Sequence, residues 1–528
     1  MKYHQIDREL FVANRAKFIQ HMTSNTLAVF NSNDIYPISS DATMPFQQHR
    51  DIFYLSGVDQ EESILVLFPT ASNPAHREVL FLRETNETIA IWEGEKLTKA
   101  TAYKTSGIKT VYWLNQFPTI FKQLMAEAQG IYLNTNEHLR ANTEVETRED
   151  RFIKQVKIDY PAHQVYKSAP ILHKTRSIKE AVELALMQTA CDITDKGFRR
   201  VLGFVKPSVW EYEIEAEFAH EFLRNRSQGF AYTPIIASGK NACVLHYIEN
   251  NKQCQAGDVI LLDVGAEYAN YSSDLTRCIP VNGRFTSRQK AVYNAVLHVK
   301  NEATKLLVPG TVMAEYHKQV GTLMEEQLVN LGLISLEDIK NQDAAWPAYK
   351  KYFMHGTSHF LGLDTHDVGL WHEPIQANMV FTVEPGIYIP AEGLGIRLED
   401  DVVVQPNGAP HNLMRNIFAL GFIANALALD FQNGQRNILY FDDSEELKRL
   451  QYFPYIIFFI IGMFVFIGYL IFSTFRKAEQ NQVWAGMAKE TAHQLGTPLS
   501  SLMAWIQLLE DQHADPMITS EMQKDVDR

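Results

Sequence analysis

The chain has 528 residues, 46% of them hydrophobic, and a formal net charge of -13. That is too long for one hydrophobic core, too apolar for a disordered chain, and too acidic for nucleic acid to be a general partner. Cys191, Cys243, Cys254 and Cys278 form no Cys-x-x-Cys pair and read as reduced thiols of a cytosolic protein. The charged N-terminus has no long apolar core and is not a secretory signal.

Residues 1–170 open with a helix and continue as short apolar runs at 26–30, 63–68, 78–82, 109–114 and 130–133. A helical stretch at 118–128 interleaves with them. The pattern predicts an α/β domain with a strand-centred core. Its polar clusters at 31–34 and 50–57 make no catalytic set. Trp92, ahead of a turn at Gly94, reads by itself as a packing residue. The domain should end within the mixed stretch 159–177.

Residues 171–416 carry amphipathic helices at 178–196, 209–225, 289–307 and 313–331. Strand-like runs lie between and after them. Helices on one side of a long, mainly antiparallel sheet give an α+β domain. Its organising stretch is 258–277, DVILLDVGAEYANYSSDLTR, with Asp263 and Asp274. On a helix these two would stand roughly 16 Å apart along the axis. On paired antiparallel strands they come within about 5 Å. The β-branched residues and the breakers Gly265 and Asn270 favour the hairpin. Without a glycine midway, the expected connection is a wide loop or bulge, not a two-residue turn. Carboxylates that close repel unless a cation lies between them.

Four more clusters matter: 238–246 ending in His246, 355–367 with His355, His359, His366 and Asp367, 381–388 with Glu384 and Tyr388, and 395–404 with Arg397 and Glu399. Each alone has an ordinary structural reading. Together they supply carboxylates carried on strands, which are hard to bury without a cation. The ligand set is Asp263, Asp274, His359, Glu384 and Glu399. Four carboxylates and one imidazole, with no thiolate, suit two divalent ions such as Mn²⁺ better than a structural Zn²⁺. Such ions lower the pKa of a water and stabilise the oxyanion of an attacked amide. Glu384 can also take the water proton. His246, His355 and His366 can orient a carbonyl or protonate a leaving amine. Arg397, two residues from Glu399, can fix a carboxylate.

These five ligands in this order, His246 in its Val-Leu-His-Tyr context, and the segment HGTSHFLGLDTHD resemble the pita-bread metallopeptidases, and among them the Xaa-Pro aminopeptidases (aminopeptidase P). The likeness runs from about residue 3 to about 415 and includes the N-terminal domain, which methionine aminopeptidases of this fold usually lack. It implies an enzyme that removes the N-terminal residue from peptides with proline second, using a dinuclear manganese centre. It implies that His246, His355 and His366 line the site and that Arg397, Tyr388 and Trp92 contact substrate. It also implies that Trp92 reaches a neighbouring subunit's site, hence a homo-oligomer. The tertiary X–Pro amide has no N–H and restricts the preceding residue, so it needs a dedicated enzyme. A prolidase restricted to X–Pro dipeptides is the alternative.

After 416 the likeness stops. A linker of foreign character, 417–454, leads into 455–472, YIIFFIIGMFVFIGYLIF, an uncharged stretch of transmembrane length closed by Arg476 and Lys477. The segment 480–528 resembles the dimerisation and phosphoacceptor helix of sensor histidine kinases. His493 stands at the phosphorylated position, Gln494 replaces the usual Glu, and a helix break is expected around Gly496 and Pro498. No kinase domain accompanies His493 in cis. The weak apolar run 417–429 could form a hairpin with the span. The expected arrangement is a cytoplasmic peptidase, membrane-anchored through 455–472, created by joining two unrelated genes or by an assembly error.

Overall fold

A computed structural model describes residues 2–141, 144–414, 426–430, 436–440 and 453–527. It divides into two units, Met1–Asp442 and Asp443–Arg528.

The first unit begins with a helix, Arg8–Gln20, whose first turn is capped by the Asp7 carboxylate accepting from the Glu9 N–H. A mixed six-stranded sheet follows, in the order Thr110–Trp113, Glu78–Leu82, Ile64–Leu67, Thr26–Asn31, Gly130–Leu133, Gln164–Lys167. The central strand is buried at every position because both faces are covered. Leu27 and Val29 join one core with Phe121 and Leu124 of the helix Phe117–Glu127. Ala28 and Phe30 alternate to the other face and pack with Phe11 and Phe18. That second core continues without interruption into the region beyond residue 180. The strand Gln164–Lys167 lies in the mixed stretch where the domain is expected to end and no strand is expected. It is a largely exposed edge strand, so it carries no apolar run to announce it.

The helices Ala181–Leu202, Glu211–Arg224, Ser287–Leu306 and Met313–Asn330 appear where the periodicity places them. The expected single long sheet is instead a set of short antiparallel ribbons. In one, Val259–Val264 pairs with Leu275–Pro280, and the same register continues through Glu267↔Ser272 to Tyr268↔Tyr271. The turn contradicts the sequence expectation. It has two residues, Ala269 and Asn270, at φ 54° and 69°, the geometry that matches strand twist. Asn270 tolerates this region; its N–H is satisfied by Glu267. In the second ribbon Val380–Val383 pairs with Asp400–Val403, and Gly386–Ile389 with Leu394–Arg397. Pro385 has no N–H for the ladder and separates the two halves. Both ribbons are thus interrupted in mid-length, and the interruptions carry Asp274, Glu384 and Glu399.

The second unit holds a helix of 59 residues, Phe453–Asp511, followed by Pro516–Val526. The expected break at Gly496 and Pro498 is absent. Pro498 lies inside the helix; a proline removes a single ladder bond, which a long helix with intact flanks survives. The His493 side chain and residues 417–425 lie outside the described residues. The remainder of the 417–429 run falls in a strand, Ala426–Asp430, paired with Arg436–Tyr440, not in a membrane hairpin.

Candidate metal centre and active site

The two interrupted ribbons bring their carboxylates together. The Tyr232 hydroxyl lies 2.6 Å from one oxygen of Asp263 and 2.6 Å from one of Asp274. A hydroxyl has one proton, so the second carboxylate oxygen faces it uncompensated. Asp274 is held from behind, its N–H donating to the Asp401 carboxylate at 2.9 Å. His359 follows the segment that enters between the ribbons. Its Nδ1 donates to the Phe360 carbonyl at 2.9 Å, which leaves Nε2 pointing at Asp274 and Glu384, 3.5 Å from an oxygen of each. Glu399 accepts from the Thr276 hydroxyl at 2.6 Å through one oxygen. Its other oxygen is buried without a hydrogen-bond partner.

Asp274, His359 and Glu399 each offer an atom within 4.8 Å of the others. Glu384 adjoins them through His359, and Asp263 through Tyr232. Burial and mutual repulsion push Glu399 well above the usual carboxylate range, and burial drives Glu384 up to about 7. An orphaned carboxylate oxygen, an imidazole Nε2 aimed at two carboxylates and a doubly shared hydroxyl are the marks of a cation site. The donor set therefore fits divalent ions.

Arg397 fixes a carboxylate belonging to the protein, that of Asp263. It also donates to Thr276 at 3.2 Å and to the Tyr388 hydroxyl at 2.8 Å. Tyr388 in turn lies 2.7 Å from His355 Nε2, while His355 Nδ1 donates to the Gly356 carbonyl at 2.8 Å. Burial lowers His355 to about 3, so its ring is neutral. His246 and His366 lie at the wall of a cavity of about 720 Å³ shared with all five expected ligands, a size suited to a short peptide. Trp92 is elsewhere. It sits on the helix Glu87–Glu93, 84% exposed, so it is neither the packing residue its isolation suggested nor part of this chain's cavity.

Three cavity residues had no signal in the sequence. Tyr232 belongs to no motif; it lies in the bend just before the strand Ile235–Ser238, whose Ile235 pairs with Asp263. His317, lowered to about 4 by burial, sits on the helix Met313–Asn330. Arg140, from the N-terminal domain, reaches within 3.1 Å of His366 Nε2.

Residues 185–406 match the model of metallopeptidase family M24, and residues 11–132 match the aminopeptidase P N-terminal domain. The Xaa-Pro aminopeptidase of Escherichia coli K12 is 32% identical over 418 residues, an alignment covering 76% of this chain and 94% of that one. The chain belongs to metallopeptidase family M24. Within M24 it is an Xaa-Pro aminopeptidase, a metal-dependent hydrolase acting on peptides with proline in second position. Xaa-Pro aminopeptidase 3 of Homo sapiens is 31% identical, covering 73% of this chain and 77% of its own length. A zinc-substituted aminopeptidase P of E. coli in complex with product has a TM-score of 0.70 at 30% identity, covering 79% of this chain and 96% of that one. The fold is accordingly an aminopeptidase N-terminal domain followed by a pita-bread domain, with an apolar helix beyond.

Proposed function

We propose that Asp263, Asp274, His359, Glu384 and Glu399 hold two divalent ions, Mn²⁺ in the native enzyme, and that this centre cleaves the bond between an N-terminal residue and a penultimate proline. The buried, unpartnered oxygen of Glu399 beside three further carboxylates carries this reading. Bound divalent ions supply positive charge that lowers the pKa of a water and stabilises a developing oxyanion. The protein's own groups do the rest. Glu384, the most accessible of the four carboxylates, accepts the water proton. Neutral His355, held by Tyr388 and Gly356, and His366, beside Arg140, orient the substrate carbonyl, and the proton that Glu384 takes from the water is the one passed to the departing proline nitrogen. His246 lines the same cavity. Arg397 holds the Asp263 carboxylate and the Tyr388 hydroxyl in place through its hydrogen bonds.

The domain limits that go with this reading are 1–170 for the N-terminal domain and 171–416 for the catalytic domain. Trp92, exposed on its helix, contacts substrate in a neighbouring subunit of a homo-oligomer. The helix segment 455–472 crosses a membrane and anchors a cytoplasmic peptidase. The segment 480–528 derives from a histidine-kinase phosphoacceptor helix with His493 as its acceptor; separate reading frames on long reads across codons 410–425 would remove the fusion. The activity is tested with an X–Pro–Y tripeptide. Release of free X is the expected result, whereas cleavage of X–Pro dipeptides alone would assign the site to the prolidase type.

A further inference from the structure

Arg176 lies in the last turn of the helix Ala169–Ser177, ahead of the helix Ala181–Leu202, and its side chain is 3% exposed. Its Nη1 donates to Asp51 at 2.7 Å. Its Nη2 donates to Asp364 at 2.9 Å and also to Asp367. Lys179 donates to the second oxygen of Asp367 at 3.0 Å. Asp51 opens the helix Arg50–Ser56 of the N-terminal domain and also accepts from Asn134 at 2.9 Å. Asn134 follows the strand Gly130–Leu133, whose continuation carries Arg140 to His366.

Asp364 and Asp367 bracket His366. One guanidinium therefore grips the active-site loop on both sides of His366, and the same guanidinium grips the N-terminal domain from which Arg140 projects. Burying Asp367 between Arg176 and Lys179 is a poor route to stability, since desolvation consumes most of the attraction, and the more exposed Asp364 is shared with Arg50. What such a network does supply is fixed geometry: the planar fork of an arginine dictates where each carboxylate sits. A displacement of about 1 Å at a catalytic group costs up to about a hundredfold in rate.

We propose that Arg176 is a positioning residue: it sets the loop 364–367 against the N-terminal domain so that His366 and Arg140 face the same part of the cavity. The inference rests on the aminopeptidase reading. Its test is a double-mutant cycle in the full chain, measuring kcat/KM on a fluorogenic X–Pro–Pro peptide together with bound metal. Arg176→Lys keeps the charge and loses the fork. Asp51→Asn, in the other domain, is the milder variant if Arg176→Lys folds poorly. Each is made with His366 intact and with His366→Ala. The expected result is a loss of about tenfold or more with His366 present and less than about twofold in its absence, at unchanged metal content. Equal losses in both backgrounds, or full activity in Asp51→Asn, would overturn the positioning role while leaving the peptidase assignment intact. A wild-type protein that fails to cleave the peptide would overturn both.

Discussion

The catalytic centre and the long C-terminal helix break opposite rules of globular proteins. In the first, charge is inside: Asp263, Asp274, Glu399 and Arg397 are all buried. In the second, hydrophobicity is outside: Phe459, Phe464, Phe466 and Tyr469 are exposed along a helix containing a candidate membrane span of mean hydropathy 1.9. Either departure is informative where an exposed leucine or a paired surface carboxylate would not be. In the proposed reading each surface is completed by something the chain does not encode, cations in one case and an apolar environment in the other. The difference is in specificity. In the proposed reading five side chains at defined positions select an ion and a reaction, while a stretch of phenylalanines and isoleucines selects only a solvent.

The largest expected effect lies in the charged region. Glu384→Gln keeps the shape of the side chain and removes its capacity to take a proton. Turnover of X–Pro–Y should fall by about 10²–10⁴-fold, with the circular dichroism spectrum unchanged. Retained activity would show that another group is the base.

The apolar region predicts a localisation. If the helix inserts, the full chain should stay in the membrane pellet through alkaline carbonate extraction. A pair of charges placed in its middle, Phe464→Lys with Ile467→Lys, should shift most of it to the supernatant, since each costs about 2.5–3.5 kcal/mol at the centre of a span. Release of the unmodified chain would show that the helix does not span the bilayer.

A smaller effect sharpens the comparison from within the N-terminal domain. Glu149 is buried and accepts from the Asn31 backbone and side-chain N–H groups at 3.0 and 3.1 Å. Burial pushes it up to about 8. Here a proton, and no metal, neutralises the buried carboxylate. Its folded-state pKa exceeds the unfolded value of about 4.3, so the folded protein binds the proton more tightly. The stability it contributes is complete below about pH 4 and is lost as pH rises through about 8. Tm should therefore fall between pH 5 and 8.5, and in Glu149→Gln that fall should be shallower by about 2–4 °C. Parallel curves would contradict this account of Glu149.

What was legible in the sequence follows from how each signal is encoded. The five candidate ligands could be nominated from residue types and order because metal chemistry restricts which side chains serve, and the structure gathers them around one cavity. Helices such as Ser287–Leu306 announced themselves by periodicity. Tyr232 and Arg140 did not, because their roles depend on contacts across 31 and 226 residues of sequence that no local pattern records. The Ala269-Asn270 turn was missed because alanine is a poor left-handed residue, and the tight pairing of Tyr268 with Tyr271 imposes the conformation. The edge strand Gln164–Lys167 was missed because it buries almost nothing. Pro498 misled in the other direction: local propensity forecast a break that the surrounding helix overrides.

The central claim is that the side chains of two interrupted ribbons, with His359 between them, surround a pair of cations. Anomalous diffraction at the manganese edge from crystals grown with Mn²⁺ tests it most directly. Two peaks within coordinating distance of Asp263, Asp274, His359, Glu384 and Glu399 are the predicted result. A map with no peak there, and Arg397 still the sole cation against Asp263, would contradict it.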